Sequence, residues 1–357
     1  MSVISNWFRR QLADQQVILL TALLILGLAI IVFLGGFLAP VFAGLVIAYL
    51  LDSPAEALVR RGVPHTLSVC LVFIAFLTGS VFTLLALMPL LSEQLTQLVL
   101  ALPIMITSVQ DLLLGLPERF PNLIETEQIA EVTSTMRKEM LQAAQQLVVL
   151  SWGSIGNFVS LIVYVFLVPL VVFFFLKDKR QLIGWLASYL PEERDLTLQV
   201  GRDLNRRIGD YVRGKSYEIV IVTFVTLVFF LFLDLRFALL LSILTGLSVL
   251  IPYIGVAAVA VPVTFVALFQ FGVTTPFFVA LGTYAFIQMI DGNVLAPLLL
   301  SEVVSLHPIA IVVAILIFGG IWGFWGLFFA IPLATLADCV LRAWPGAPGG
   351  LLESEPS

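Results

Sequence analysis

The stretch Ile287–Pro308 reads IQMIDGNVLAPLLLSEVVSLHP and separates two long apolar runs with polar residues, glycine and proline. It contains the amides of Gln288 and Asn293 and, between them, the carboxyl group of Asp291. Polar groups at membrane depth are costly, so they usually line a cavity or a permeation path. A solvated loop between two helices is the other interpretation of the same pattern.

The composition of the chain is that of an integral membrane protein. Of its 357 residues, 60% are hydrophobic and only 11% are charged, and the mean hydropathy is +1.09. Soluble domains carry about a quarter charged residues. Nine of the eighteen lysines and arginines lie between Lys177 and Lys215, without the aromatic interleaving of a nucleic-acid surface, so no nucleic-acid partner is expected. Cys70 and Cys339 lie in apolar runs without metal-ligand spacing.

The N-terminal part of the chain contains three apolar segments. Val17–Leu38 and Pro40–Leu51 are predicted to form a tight helix pair, broken at Gly35-Gly36 and at the following proline. Thr66–Leu91 is long enough to cross a hydrocarbon core of about 30 Å. Gly153–Leu176 is the next span and ends at a cluster of charged residues.

Ser92–Leu150 differs from the segments around it because its apolar residues recur at helical spacing. One stripe runs from Leu95 to Val109 and bends at Pro103, and a second runs from Ile129 to Leu147. We expect amphipathic helices that lie outside the hydrocarbon or against partner subunits. The segment carries three basic residues against seven acids, which suits the outer side of the membrane.

Pro191–Lys215 is predicted to form a charged amphipathic helix, with an apolar residue at every fourth position from Leu196 to Val212. Such a helix suits an anionic membrane surface or a protein partner, and both remain open. Basic residues favour the cytoplasmic side, so this helix and both chain termini are placed in the cytoplasm.

The C-terminal half contains two pairs of short apolar segments. Phe237–Ile251 and Val256–Phe271 flank Pro252-Tyr253-Ile254-Gly255, and Pro308–Phe318 and Ile321–Val340 flank Gly319-Gly320. The arms of the first pair have about 15 residues, shorter than a comfortable span of about 20, and the second is again a short pair, so both pairs are predicted to be re-entrant hairpins. Kinked transmembrane hairpins are the alternative. Short interrupted segments in matching positions are typical of a secondary transporter's binding site.

These segments predict an all-α polytopic integral membrane protein with about six transmembrane helices, two re-entrant helical hairpins and amphipathic helices. The predicted regions are, in order, N-terminal transmembrane helices (1–91), an extracytoplasmic amphipathic region (92–150), a transmembrane helix (151–176), a charged cytoplasmic helix (177–215), a transport region with two helix–hairpin repeats (216–343) and a cytoplasmic tail (344–357).

Two transport chemistries fit the candidate site. A small polar solute needs hydrogen-bonding groups in an apolar cavity, and helix breaks supply free backbone groups. The predicted substrate-binding residues are Gln288, Asp291, Asn293, Pro252, Tyr253, Gly255, Gly319 and Gly320. The predicted hinges and helix breaks are Pro252, Gly255, Pro297, Pro308, Gly319, Gly320 and Pro332.

Exchange of a monovalent cation for a proton needs a titratable group that is reachable from either side. Asp291 is the best ion-coupling candidate and His307 the second. Each has a structural alternative, because Asp291 is also suited to capping a helix and His307 to the turn before Pro308. No cofactor or bound metal is predicted. The chain has no zinc-protease, nucleophile-elbow or phosphate-loop motif, so an enzyme is not expected, whereas a membrane scaffold remains a further alternative.

The order and spacing of several motifs resemble the autoinducer-2 exporter family, also called the PerM-like permeases. The similarity covers nearly the whole chain and is carried by Tyr211–Lys215 (YVRGK), Pro252–Gly255, Gln288–Asn293, Leu306–Pro308 and Gly319-Gly320. One departure is Asp291-Gly292, where Glu-Gly is familiar in the family.

This resemblance implies a multi-pass permease of the bacterial inner membrane that exports a small, polar, uncharged quorum-sensing molecule. It also implies a homo-oligomer such as a pentamer, contact with membrane lipid, and two hairpins that carry the substrate in an elevator-like movement. Other members are associated with sodium or lithium antiport against protons, so the family name leaves the substrate open.

Overall fold

The computed structural model describes residues 15–114, 138, 155–189, 195–300 and 307–343, and every regular element in these residues is helical. Six of the helices are long and apolar enough to cross a membrane. The predicted class, an all-α polytopic membrane protein, is therefore confirmed. The amphipathic stripe from Ile129 to Leu147, the residues 301–306 and the tail 344–357 lie outside the described residues, apart from Lys138.

The described helices follow one another with short connections. In chain order they are α1 (Gln15–Arg60), α2 (His65–Leu114), α3 (Ile155–Lys177), α4 (Lys179–Ser188), α5 (Asp195–Phe232), α6 (Ala238–Ser248), α7 (Ile254–Phe271), α8 (Thr275–Ile290), a π-helical segment (Asp291–Leu295), α9 (Ala296–Leu300) and α10 (Pro308–Ala343).

The chain divides into two compact units, each built from separate stretches of sequence. The first unit contains Met1–Leu77, Val163–Tyr217 and Val294–Ser357, and the second contains Thr78–Ile162 and Glu218–Asn293. Helices α2 and α5 each contribute residues to both units. Each unit is thus assembled from distant segments, and the regional boundaries predicted from sequence order stay predictions.

Helix α1 replaces the helix pair that the sequence predicted near the N-terminus. It is one helix of 46 residues and includes Pro40, so the predicted break has no counterpart in the structure. Proline removes one hydrogen-bond donor, and neighbouring groups in a packed membrane helix can compensate for it. Gly35 allows a close contact, because a Cβ added there would collide with the indole of Trp322 in α10. Because the predicted break in α1 is missing, the cytoplasmic location of the N-terminus stays a prediction.

Helix α2 continues far beyond the predicted span and includes both Pro89 and Pro103. Its second half carries the first part of the apolar stripe, in which Leu95, Leu98 and Leu102 pack on the core of the second unit, and the neighbouring Met105 is fully buried there. Packing within its own unit covers this side of α2. The expectation that the region lies outside the hydrocarbon or against a partner subunit stays a prediction.

Helix α5 joins two predicted elements. The charged amphipathic helix and the transmembrane segment after Glu218 form one helix of 38 residues without interruption. No glycine or proline with a non-helical backbone separates them, so the helical hydrogen-bond ladder continues from the charged part into the apolar part. The predicted regional boundary after Lys215 lies in the middle of this helix.

Helices α6 and α7 form the first predicted hairpin. They contact each other and are separated by residues 249–253, where Tyr253 has a positive φ of 63°. Helix α6 has 11 residues, or roughly 16 Å, which is too short to cross a bilayer alone. Gly255 permits the tight reversal, because a Cβ there would collide with the carbonyl oxygen of Ser248. Whether the hairpin is re-entrant stays a prediction.

Helix α10 contains the second hairpin, and its break is not at the predicted position. The backbone is non-helical at Gly323, with φ 59° and ψ −134°, three residues after Gly320. Its two arms pack in one buried cluster that includes Ile315 and Ala330. The predicted break at Gly319-Gly320 is thus corrected to Gly323. Only glycine enters this backbone region without steric strain, and a Gly-Gly pair by itself does not require it.

We expect the position of this break to be visible in the stability of alanine variants. Gly323→Ala should lower the apparent Tm of the detergent-solubilised protein by several degrees, because a side chain at this positive φ costs about 1–3 kcal/mol. Gly320→Ala is the matched control, since a Cβ there meets open space. Equal melting temperatures for the two variants would contradict a break at Gly323.

Candidate functional site

The polar stretch that begins at Ile287 contains a π-helical segment, Asp291–Leu295. Helix α8 ends at Ile290, the segment Asp291–Leu295 continues in π geometry, and helix α9 follows directly. A π-helical turn inserts an extra residue into the hydrogen-bond pattern, and such turns are frequent at functional sites. Residues 287–300 are therefore helical around Asp291, whereas residues 301–306 of the same stretch lie outside the described residues.

Three polar residues share one face at this end of α8. Tyr284, Gln288 and Asp291 follow one another at spacings of four and three residues, which places them on the same side of a helix. Tyr284 is 5% exposed and Asp291 is 6% exposed. We call these three residues the polar face of α8. Gln288 between them is half-buried, with its amide atoms buried, whereas apolar side chains elsewhere on the helix, such as Phe286 and Met289, are exposed.

Tyr284 connects the polar face to the first hairpin, and the sequence analysis missed it. Its hydroxyl donates a hydrogen bond of 2.8 Å to the carbonyl oxygen of Val256, in the first turn of α7. The hairpin tip and the polar face therefore lie close together within the second unit. The missed signal was the i, i+4 spacing of Tyr284 and Gln288 on a helix that is otherwise apolar.

Gln288 holds unused hydrogen-bonding capacity. Its amide oxygen and nitrogen are buried, and neither has a hydrogen-bond partner of good geometry among the described residues. The side chain lies close enough to the Tyr284 hydroxyl to interact with it. Buried polar atoms without partners are rare and costly, and a ligand or an ordered water is a common reason for them. Gln288 is the residue of the polar face that is best placed to receive a polar ligand.

Asn293 differs from the other two predicted polar residues of the stretch. Its side chain is exposed, and its amide nitrogen donates a hydrogen bond of 2.8 Å to the carbonyl oxygen of Met289. A π-helical backbone leaves carbonyl oxygens with altered partners, and this bond uses one of them. The structure thus separates Asn293 from the buried Gln288 and Asp291.

At the tip of the first hairpin, Pro252 lies in the break between the helices, and Tyr253 is 62% exposed with φ 63° and ψ −53°. A non-glycine residue with a positive φ is uncommon and often marks a functional or strained position. Gly255 is buried at the start of α7. The tip therefore presents a strained, exposed aromatic residue beside a tightly packed glycine.

The remaining predicted residues belong to the first unit. Gly319 packs on Leu327, Gly320 faces open space, Pro297 lies in the first turn of α9, and Pro332 lies inside α10 without a break. His307 precedes Pro308, the first residue of α10, and its Nδ1 accepts a hydrogen bond of 3.3 Å from the backbone N–H of Ile309. This contact satisfies a donor in the first helical turn, which is the turn role that the sequence left open.

Glu218 is a second buried carboxyl group that the sequence analysis did not select. It lies in α5 within the second unit, and only 2% of the residue is exposed. Buried acidic residues are rare unless they interact with a partner or perform a function. The sequence could have pointed to Glu218 because this residue stands at the start of an apolar run, one turn after Lys215. In the structure Lys215 is itself only 5% exposed. Within the described residues, no group of three or more potential metal ligands occurs.

A buried polar face, two helical hairpins and six apolar helices define a class of protein, the polytopic membrane transporters. The comparison with protein families gives the particular family. Residues 20–346 match the model of the AI-2E family of transporters, and the chain belongs to this family. The expected resemblance is confirmed. The family is one of transporters and permeases, not of enzymes.

Several relatives cover almost the entire chain. The chain is 40% identical over 345 residues to the putative permease PerM of Escherichia coli, covering 97% of this chain and 98% of the relative. It is 26% identical to the putative transport protein YueF of Bacillus subtilis, covering 83% and 82%. It is 23% identical to the AI-2 transport protein TqsA of Escherichia coli, covering 93% of each chain.

Tyr284→Phe tests the connection between the polar face and the first hairpin. Loss of the hydroxyl leaves the Val256 carbonyl oxygen without this donor, so we expect a loss of about 1 kcal/mol in stability and a lower apparent Tm in detergent. Tyr217→Phe, which alters an exposed tyrosine, is the matched control and should leave the Tm unchanged. If both variants melt at the wild-type temperature, the hydroxyl contact does not stabilise the hairpin.

Proposed function

We propose that the protein is a secondary transporter that exports a small, polar, uncharged solute. The main support for this proposal is the polar face of α8, where the buried Gln288 amide has no good hydrogen-bond partner among the described residues. An amide both donates and accepts hydrogen bonds, so it suits hydroxyl and carbonyl groups of a neutral solute. Asp291 and the backbone groups at the tip of the first hairpin complete the proposed binding site.

Autoinducer-2 is the first candidate for the solute. Support comes from the 23% identical relative, whose name describes an AI-2 transport protein. The polar face and the hydrogen bond from Tyr284 to the first hairpin also suit a solute that is held between a rigid helix and a hairpin tip. In this proposal Gln288 and Asp291 orient the solute, and Tyr253, Gly255 and Pro252 shape the hairpin end of the site.

Movement of the hairpin region in an elevator-like manner is part of this proposal. The two hairpins lie in different units, the first with its tip at residues 249–253 and the second with its break at Gly323. In the proposed mechanism the tip of the first hairpin contributes backbone groups to the substrate. A passive permease would use the same groups without a coupling ion.

Exchange of sodium or lithium for protons is the second candidate function. It is favoured by two buried carboxyl groups, Asp291 and Glu218, both in the second unit. A carboxyl group that alternately binds a proton and a cation is the minimal requirement of an antiporter. In this alternative Asp291 is the coupling residue. His307 is the less favoured one, because its Nδ1 accepts a hydrogen bond at the start of α10.

The membrane, the orientation and the oligomeric state of the protein are also part of this proposal. We place the protein in the bacterial inner membrane with both termini in the cytoplasm, as a homo-oligomer such as a pentamer. The positive-inside rule supports the location of the basic residues between Lys177 and Lys215 on the cytoplasmic side. A non-transporting scaffold would have no need for unused hydrogen-bonding groups inside a membrane helix, so transport is the preferred function.

Flux through proteoliposomes tests this proposal. The wild type is compared with Gln288→Met, Asp291→Asn and two exposed controls, Gln97→Met and Asp203→Asn. Gln288→Met should raise the autoinducer-2 concentration for half-maximal flux roughly tenfold, because one buried hydrogen bond is lost. Asp291→Asn should lower the flux or change its pH dependence, while both controls transport like the wild type.

A sodium jump with a pH-sensitive dye inside the same vesicles distinguishes the two functions. A sodium-driven pH change that Asp291→Asn abolishes, together with no autoinducer-2 flux, would favour the antiporter. A flat pH trace with autoinducer-2 flux that depends on Gln288 would favour the exporter. Wild-type behaviour of both site variants in both assays would remove the polar face of α8 from the mechanism.

A further inference from the structure

Two adjoining cavities lie in the first unit, where the end of α1 meets α3 and α4. The first, of about 310 Å³, is lined mainly by apolar side chains of all three helices, including Leu45, Ala48, Phe175, Leu176 and Leu182. We call it the apolar pocket. The second, of about 570 Å³, is lined by charged residues and is called the basic pocket. The two cavities share Asp52, Leu176, Lys179 and Ile183, so they form one continuous recess.

The basic pocket has a surplus of positive charge. Its cationic residues are Arg60, Lys177, Lys179 and Arg180, and its acidic residues are Asp52 and Glu56. Lys179 and Asp52 form an ion pair of 2.6 Å where the two pockets meet. In the part of the chain that the structure describes, Arg60, Lys177 and Arg180 make no ion pair. Because Glu56 is the only acid left beside these three cations, the cavity keeps a surplus of two positive charges, which suits an anionic ligand with several oxygen atoms.

Helix α4 has the features of a helix at the membrane–water interface. It begins two residues after the apolar helix α3 ends at Lys177. Ile183 is 58% exposed, and Trp185 and Tyr189 are also exposed and form an edge-to-face pair with ring centroids 5.2 Å apart. Tryptophan and tyrosine concentrate at the level of lipid headgroups, with basic residues nearby. The recess therefore opens at the depth where lipid headgroups and acyl chains meet.

We propose that this recess binds one anionic phospholipid. The phosphate group lies in the basic pocket, where it contacts Arg60 and Arg180, and an acyl chain lies in the apolar pocket against Leu182. The charge surplus excludes a strong preference for zwitterionic lipid, and the adjoining apolar pocket distinguishes a lipid from a soluble phosphate. Basic pockets between transmembrane helices commonly recognise acidic lipid headgroups.

Binding at this position connects α1 to α3 and α4 through a single ligand. Helices α1 and α3 already pack together through Ala48, Ala55 and Leu176, and the ion pair of Lys179 with Asp52 joins α4 to α1. A bound lipid adds contacts to groups on all three helices, so it stabilises the folded first unit increasingly as the lipid concentration exceeds the Kd. The proposal is independent of the transported substrate.

The test compares lipids on delipidated full-length protein in detergent. Apparent Tm and native mass spectra are recorded with dioleoyl phosphatidylglycerol, dioleoyl phosphatidylcholine or glycerol phosphate. We expect one tightly retained phosphatidylglycerol and a Tm higher by several degrees, with little effect of the other two. In Arg60→Gln/Arg180→Gln, affinity for phosphatidylglycerol should fall about 30-fold. Leu182→Asn should weaken binding through the apolar pocket.

Arg61→Gln/Arg202→Gln is the matched control, because both arginines are exposed and neither lines the recess. It should bind phosphatidylglycerol like the wild type, and the elution volume of each variant on size exclusion reports its folding. Equal stabilisation by phosphatidylcholine would overturn the proposed charge selectivity. Equal stabilisation by glycerol phosphate would show a soluble-anion site instead, and equal losses in both double variants would show a diffuse surface attraction.

Discussion

The hydrogen bonds of the backbone are the constraint on which the structure depends. In a hydrocarbon environment an unpaired N–H or C=O group costs several kcal/mol, and a helix satisfies these groups within a single segment. This explains why α1 and α2 continue past four prolines in total, Pro40, Pro54, Pro89 and Pro103, without a break. Each proline removes one donor, whereas a break would expose several groups at once.

The true interruptions occur where the backbone groups find other partners or a special geometry. Gly323 interrupts α10 at a positive φ, and the N-terminal amide of Leu240 in α6 donates to the Gln94 side chain at 3.0 Å. At the polar face the helix remains intact and changes to π geometry at Asp291. These three interruptions differ in geometry. In each, the buried backbone groups have hydrogen-bond partners, or the irregular backbone lies at a candidate site.

Small residues determine how closely the helices approach one another. Gly246 leaves room for the side chain of Thr223, Gly214 packs against the backbone of Leu299, and Gly44 lies against Val171. Helices in a membrane gain little from the hydrophobic effect when they associate, so close packing at glycine supplies much of their attraction. Glycine thus permits close contact between helices, and at Gly255 and Gly323 it also permits reversal of the chain.

Composition and apolar segment length determined the class of the protein, the number of long apolar helices and the existence of two interrupted pairs near the C-terminus. These features follow from local chemistry, because each segment must satisfy its own backbone in a membrane. The motif from Gln288 to Asn293 was also visible in the sequence. Only the tertiary structure decided that Gly323, not Gly320, breaks α10, and that Tyr284 lies beside Val256. It alone brought Asp52 to Lys179, 127 residues away, because such contacts depend on packing between distant segments that no local pattern encodes.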